Sequence, residues 1–138
     1  MPNFSATLLL TRPPESAQRF AQDLAPDLPP GVRIVISPLL GIVPTGAEVA
    51  LSGYAGVLFT SGNAVALAGQ CAPIPAYCVG AQTRAFAEAA GWQVARHEVT
   101  AEALFAALIK EKPAIPLLHL AGQHRRGDLA SRLTEAGL

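Results

Sequence analysis

A unit made of a short apolar strand, a turn of glycine and small polar residues, and an alanine-rich helix recurs along this chain. Its strand and turn portions lie at residues 7–14, 56–63, 76–83 and 117–126. Parallel strands need a crossover between them, and a helix is the usual crossover, so the repeat predicts an α/β fold. We expect a parallel sheet with helices on both faces. Its turns would meet at the carboxyl edge of the sheet, where open α/β sheets bind ligands.

The composition allows a substantial core and excludes several kinds of partner. Apolar residues make up 51% of the 138 residues, charged residues make up 14%, and the formal net charge is zero. A neutral chain has no long-range attraction for nucleic acid or for an anionic membrane. The sequence contains no secretory signal and no run of membrane-spanning length, so we expect a cytoplasmic location. Cys71 and Cys78 are predicted to be free thiols in or near the core.

Hydrophobic spacing and turn residues predict the order of the elements. Strands are expected at residues 7–10, 32–36, 56–59, 76–79, 93–96 and 116–120. Helices are expected at residues 15–24, 48–52, 63–68, 82–90, 101–110 and 128–136. Thr100 is a candidate N-cap and Gly91 a candidate left-handed C-cap. Residues 39–43 are predicted to be extended, within a proline-punctuated linker.

Motifs with a defined chemistry are missing from the sequence. It lacks the phosphate loop of Walker-type NTPases, the glycine fingerprint of dinucleotide-binding folds and the nucleophile elbow of hydrolases. His97, His119 and His124 do not have metal-ligand spacing, and no metal site is predicted. His119 alternates with leucines in a strand and is therefore predicted to be a hydrogen-bonded core residue. His97 is predicted to lie at the surface.

The turns themselves are the candidate binding site. Each would place helix N–H groups and small hydroxyl or amide side chains on one edge, which suits a carboxylate or phosphate. One helix N-terminus contributes only about 0.3–1 kcal/mol toward an exposed anion, so several would have to converge. Arg12, Arg125 and Arg126 add positive charge there. The alternative is that Ser61 and Thr83 only cap their own helices; it is favoured for single residues, and ligand binding for the group.

Four segments, in order and spacing, resemble the uroporphyrinogen-III synthase family. They are residues 9–13, 59–65, 78–83, and 120–122 followed by Arg125, Arg126 and Leu129. The resemblance extends over the whole chain and implies two flavodoxin-like α/β lobes joined by a linker. By that plan, residues 1–36 begin lobe one and the linker. Residues 37–138 end the linker and form lobe two without its last strand, so the chain reads as a piece of a longer protein.

The resemblance also implies an activity. The family cyclises the linear tetrapyrrole hydroxymethylbilane to uroporphyrinogen III, with inversion of the last ring and loss of water, and uses no cofactor. The substrate carries eight carboxylates. The residues implied to bind it are Arg12, Thr60, Ser61, Gly62, Asn63, Gly80, Thr83 and Gly122, with Gln82, Arg125 and Arg126 as weaker candidates.

No catalytic residue is assigned. The tyrosine that the family offers as general acid has no counterpart in Tyr54 or Tyr77, so weak or no activity is expected of this chain alone. The full-length enzyme is expected to be a monomer, whereas this chain could self-associate through open sheet edges.

Two other functions fit the same turns. One is a non-catalytic, flavodoxin-like module that binds a small anion or a partner protein. The other is a phosphosugar or nucleotide enzyme on a doubly wound sheet. The second is weakened by the missing phosphate fingerprints and by the lack of an acidic pair for magnesium. Affinity for an octacarboxylate tetrapyrrole distinguishes the synthase from both.

Overall fold

The computed structural model describes residues 6–124 and 127–138. The chain divides into two compact units, Met1–Thr45 and Gly46–Leu138. The assignment of two lobes to residues 1–36 and 37–138 stays a prediction. Within the described part of the chain, no helix is both long enough and apolar enough to span a membrane.

The described residues of the first unit form a pair of parallel strands with one α-helix. Strands β1 (Ala6–Leu10) and β2 (Val32–Ile36) are parallel, and helix α1 (Pro14–Leu24) with a short 3-10 helix (Ala25–Asp27) connects them. Pro14 occupies the first position of α1, where its missing N–H leaves no bond unmade. Ala17 is the fully buried residue of this helix.

The second unit is a four-stranded parallel sheet with alternating helices. The strands are β3 (Gly56–Phe59), β4 (Pro75–Val79), β5 (Gln93–Glu98) and β6 (Leu117–Leu120). The helices are α2 (Gly62–Leu67), α3 (Ala81–Ala89), α4 (Ala101–Glu111) and α5 (Leu129–Glu135). The strand order is β5-β4-β3-β6, and all three pairings are parallel. The predicted parallel α/β fold is confirmed, and its strands and helices match the expected ones within a few residues.

Strand β3 lies at the centre of two apolar cores because its side chains alternate between the faces of the sheet. Val57 and Phe59 pack with residues of α2 and α3 on one face, and Phe59 meets Trp92 edge to face at 5.2 Å. Leu58 packs on the other face against α4 and α5, where Leu104 and Leu108 are fully buried. All four residues of β3 are buried, as in strands covered by helices on both faces.

Capping residues fix where several helices begin and end. The Thr100 hydroxyl accepts a hydrogen bond from the Ala103 amide at 3.1 Å, which confirms the predicted N-cap of α4. Gly91 has a φ of 90°, so the predicted left-handed turn after α3 is also confirmed.

The helix predicted at residues 48–52 is wrong. This segment contains no helix, and residues 39–43 form no strand. The six residues between Gly46 and Gly53 make too few helical hydrogen bonds to offset the entropy of the first turn. Leu51 instead packs against the core that contains Phe59.

The two cysteines provide a test of how β4 is buried. Cys78 is buried in β4, and desolvation together with the charge of Glu88 raises the pKa of its thiol to about 11. Cys71 is exposed. Because the thiolate is the reactive form, iodoacetamide at pH 8 should modify only Cys71 in the folded chain and both thiols in urea, as counted by peptide mass spectrometry. Equal modification of Cys78 in the folded chain would contradict this packing.

Candidate functional site

The strand order of the second unit creates a crevice beside β3. From β3 the chain adds β4 and then β5 on one side, and it next crosses to place β6 on the other side of β3. Where the crossovers of two neighbouring parallel strands run to opposite sides of the sheet, a gap opens between the carboxyl ends of those strands. This gap is the usual ligand site of open α/β sheets. The gap therefore lies between the ends of β3 and β6.

A cleft of about 950 Å³ occupies this position. Its walls come from the turn after β3, the start of α4, the loop after β6 and the first turn of α5. The polar or glycine residues that line it are Thr60, Ser61, Thr100, Glu102, His119, Gly122, Gln123, His124, Gly127, Asp128, Ser131 and Arg132.

A hydrogen bond joins the ends of β3 and β6 inside this cleft. Thr60 Oγ1 lies 3.3 Å from His119 Nε2. Leu58 is opposite His119 in the strand register, and Thr60, two residues beyond Leu58, returns to the same face of the sheet. His119 is thus hydrogen-bonded as expected, but it is half-buried and lines the cleft, so its assignment to the core is wrong.

Two hydroxyl groups of the cleft cap the helices behind them. Ser61 Oγ accepts a hydrogen bond from the Ala64 amide at 3.3 Å, and Thr100 caps α4 in the same way. The capping function considered for Ser61 is therefore present. A hydroxyl that accepts a hydrogen bond keeps its own proton for donation, so capping leaves Ser61 and Thr100 able to donate to a ligand.

An ion pair between α4 and α5 supplies the charge at one wall. The Arg132 guanidinium donates two hydrogen bonds to the Glu102 carboxylate, at 2.6 and 3.0 Å, and lies 4.1 Å from the centre of the Phe105 ring. The hydrogen bond from Arg132 lowers the pKa of Glu102. Sequence reasoning missed this pair because its members are 30 residues apart and neither belongs to a motif.

The structure brings together three of the predicted binding residues. Thr60, Ser61 and Gly122 line the cleft, and Gly62 and Asn63 follow directly at the start of α2 without lining it. Their contact with a ligand stays a prediction.

The other predicted residues lie elsewhere. Gly80, Gln82 and Thr83 are at the start of α3 and do not line the cleft, and Thr83 is buried. Arg12 belongs to the first unit, where its guanidinium is 4.9 Å from the centre of the Phe20 ring. Arg125 and Arg126 are outside the described residues.

Different local constraints apply at three glycines of the predicted site. At Gly62, a Cβ would overlap the Phe86 ring, so the glycine lets α2 and α3 pack closely. Gly80 has a φ of 88°, which disfavours other residues. At Gly122, a Cβ would lie 3.6 Å from the His124 carbonyl oxygen, an ordinary contact. Local packing and backbone therefore account for Gly62 and Gly80 but not for Gly122.

The cleft offers hydroxyl groups, imidazoles and backbone amides rather than a ligand set for a metal. Over residues 6–124 and 127–138, no three His, Cys, Asp or Glu side chains lie close enough together to hold a metal ion.

The fold and this cleft define a parallel α/β protein with a polar cleft at its topological switch point. The family model described as uroporphyrinogen-III synthase HemD matches residues 29–138. The chain therefore belongs to the uroporphyrinogen-III synthase family, whose function lies in porphyrin biosynthesis. The match leaves out residues 1–28 and so does not test the resemblance at Arg12. No curated protein matches the sequence.

Substitution of Gly62 separates packing from binding. Gly62→Ala should lower the free energy of unfolding by about 1–3 kcal/mol, because the added methyl group overlaps Phe86 in a packed region. Gly122→Ala is the matched control and should change stability by less than about 0.5 kcal/mol. Urea unfolding followed by Trp92, the single tryptophan and a core residue, measures both. Equal stability of the two variants would show that Gly62 is not required for packing.

Proposed function

We propose that the cleft between β3 and β6 binds the carboxylate groups of a linear tetrapyrrole, and that this chain forms part of a uroporphyrinogen-III synthase. Family membership supports the substrate class, since the match covers the whole of the second unit. The observation that carries the proposal is the convergence of Thr60, Ser61 and Gly122 on one cleft at the switch point.

The donors of the cleft suit a flexible polyanion. Hydroxyl groups and backbone amides give directed hydrogen bonds to carboxylate oxygens without the strong desolvation cost of burying unpaired cations. The Glu102 carboxylate balances the charge of Arg132, and the Asp128 carboxylate, 3.9 Å from Arg132, adds a second negative group to the lining. Such a site would hold several carboxylates by many moderate interactions, so that the linear chain can still bend.

The reaction implied by the family needs positioning more than reactive side chains. Loss of the terminal hydroxyl as water leaves a conjugated cation, and the ring closes through a spiro intermediate that reopens and recloses with the last ring inverted. A proton is consumed when the hydroxyl leaves and one is released after ring closure. A protein that holds the two ends of the tetrapyrrole near each other favours this path over spontaneous closure without inversion.

The domain assignment is part of the proposal. Residues 37–138 are proposed to be lobe two with the end of the linker, and residues 1–36 the beginning of lobe one. The parallel sheet of the second unit and the separate strand pair of the first support this division.

Binding of an octacarboxylate tests the proposal directly. Uroporphyrin III, titrated into the chain and followed by porphyrin fluorescence, should bind saturably and more tightly than coproporphyrin III, which has half as many carboxylates. Incubation with hydroxymethylbilane, followed by oxidation and chromatographic separation of the isomers, measures inversion. Isomer III above the level formed without protein would show that this chain alone carries the activity. Saturable binding with isomer I alone agrees with the weak or absent activity expected of this chain alone, and no binding would refute both the site and its ligand class.

Gly122 provides a sharper test of the location. Gly122→Ala adds a methyl group to the wall of the cleft, where we expect it to weaken uroporphyrin III binding several-fold while the chain stays folded. Gly41→Ala is the control, since Gly41 lies in the other unit with no atom within 4 Å of an added Cβ. Unchanged affinity in Gly122→Ala would place the ligand elsewhere.

A further inference from the structure

The Thr60–His119 hydrogen bond links two side chains that line the proposed binding cleft. The two side chains come from adjacent strands and are 59 residues apart in the sequence. Both line the cleft, and neither is fully buried. A bond of this kind fixes the direction of a hydroxyl group that would otherwise rotate among several acceptors.

The direction of the Thr60–His119 hydrogen bond decides where the proton of the Thr60 hydroxyl points. A threonine hydroxyl has one proton and two lone pairs, whereas a histidine Nε2 either donates or accepts. When Nε2 carries a proton and donates it to Thr60 Oγ1, the proton of the hydroxyl cannot point back to the ring. That proton then remains for an acceptor in the cleft, and the bond from the ring makes the hydroxyl a stronger donor.

We propose that His119 is a positioning residue that directs the Thr60 hydroxyl toward a carboxylate of the tetrapyrrole. This inference rests on the proposed function. His119 acts through Thr60: its ring nitrogen holds Thr60 Oγ1 at the end of β3, and Thr60 makes the contact with the ligand. The turn after β3 and the strand β6 thereby form one binding element.

The strand register explains why a histidine at this position can reach the hydroxyl. Leu58 and His119 are directly opposite in the parallel pair, and Phe59 is opposite Leu120. Thr60, two residues beyond Leu58, therefore lies on the same face of the sheet as His119 and one same-face position further along the strand direction. A long side chain with a terminal nitrogen spans that step, whereas a leucine at position 119 would fill the space without a hydrogen bond.

A double-mutant cycle with uroporphyrin III tests the proposal. Thr60→Val and His119→Leu should each weaken binding by about three- to tenfold, the effect of one lost hydrogen bond. The double variant should bind no more than about twofold more weakly than Thr60→Val alone, because both changes remove the same interaction. His119→Gln, whose amide can donate to Thr60 Oγ1, should restore most of the affinity lost in His119→Leu.

Controls separate this role from a structural one and from failure of the proposed function. His97→Leu changes a histidine outside the cleft lining and should bind as the unaltered chain does. Thermal unfolding identifies any variant that has lost its fold. Losses that multiply in the double variant, no effect of either single change, or no rescue by glutamine would each overturn the role of His119. Absence of saturable binding in the unaltered chain would overturn the proposed function, and this inference with it.

Discussion

Strand β3 is the element on which the second unit depends. It pairs with β4 on one edge and with β6 on the other, and its four residues are buried between two helical layers. Gly56 permits this crowding, because a Cβ there would lie 2.8 Å from the Tyr77 ring and 2.9 Å from a Leu117 methyl carbon. Both cores and the cleft at the carboxyl end of the strand are therefore fixed by one short segment.

The same constraint determines the chemistry of the site. Strand β3 is paired on both edges and covered on both faces, so its four residues are buried, and the chain becomes partly exposed where it continues into Thr60 and Ser61. The crossover through α4 places β6 beside β3. His119 is therefore hydrogen-bonded to Thr60, and the loop that contains Gly122 lines the cleft. A rigid strand pair supports hydroxyl donors at defined positions. This arrangement suits the recognition of carboxylates by geometry more than by net charge.

The repeating pattern of the sequence was sufficient for the fold class and for most helices and strands. Apolar runs such as 56–59, followed by glycine and a capping serine, are local signals that need no knowledge of the tertiary structure. The helix predicted at residues 48–52 failed because Leu51 is held by contacts with the core, which outweigh a weak local preference.

The site was only partly predictable. Thr60, Ser61 and Gly122 follow strand ends, and that local signal placed them correctly at the sheet edge. The strand order, which puts β6 beside β3 and leaves α3 to one side, is not encoded in any local pattern. It decides that His119 and Arg132 line the cleft while Gly80 and Thr83 do not. The Arg132–Glu102 pair likewise depends on how α4 and α5 pack.

We propose that a polycarboxylate tetrapyrrole binds at the carboxyl ends of β3 and β6. Amide nuclear magnetic resonance of the labelled 138-residue chain, titrated with uroporphyrin III, measures this position residue by residue. Binding at this position should give the largest shifts at Thr60, Ser61 and Gly122, with small shifts at the far end of the sheet. Shifts concentrated around the start of α3, or spread evenly over the surface, would contradict it.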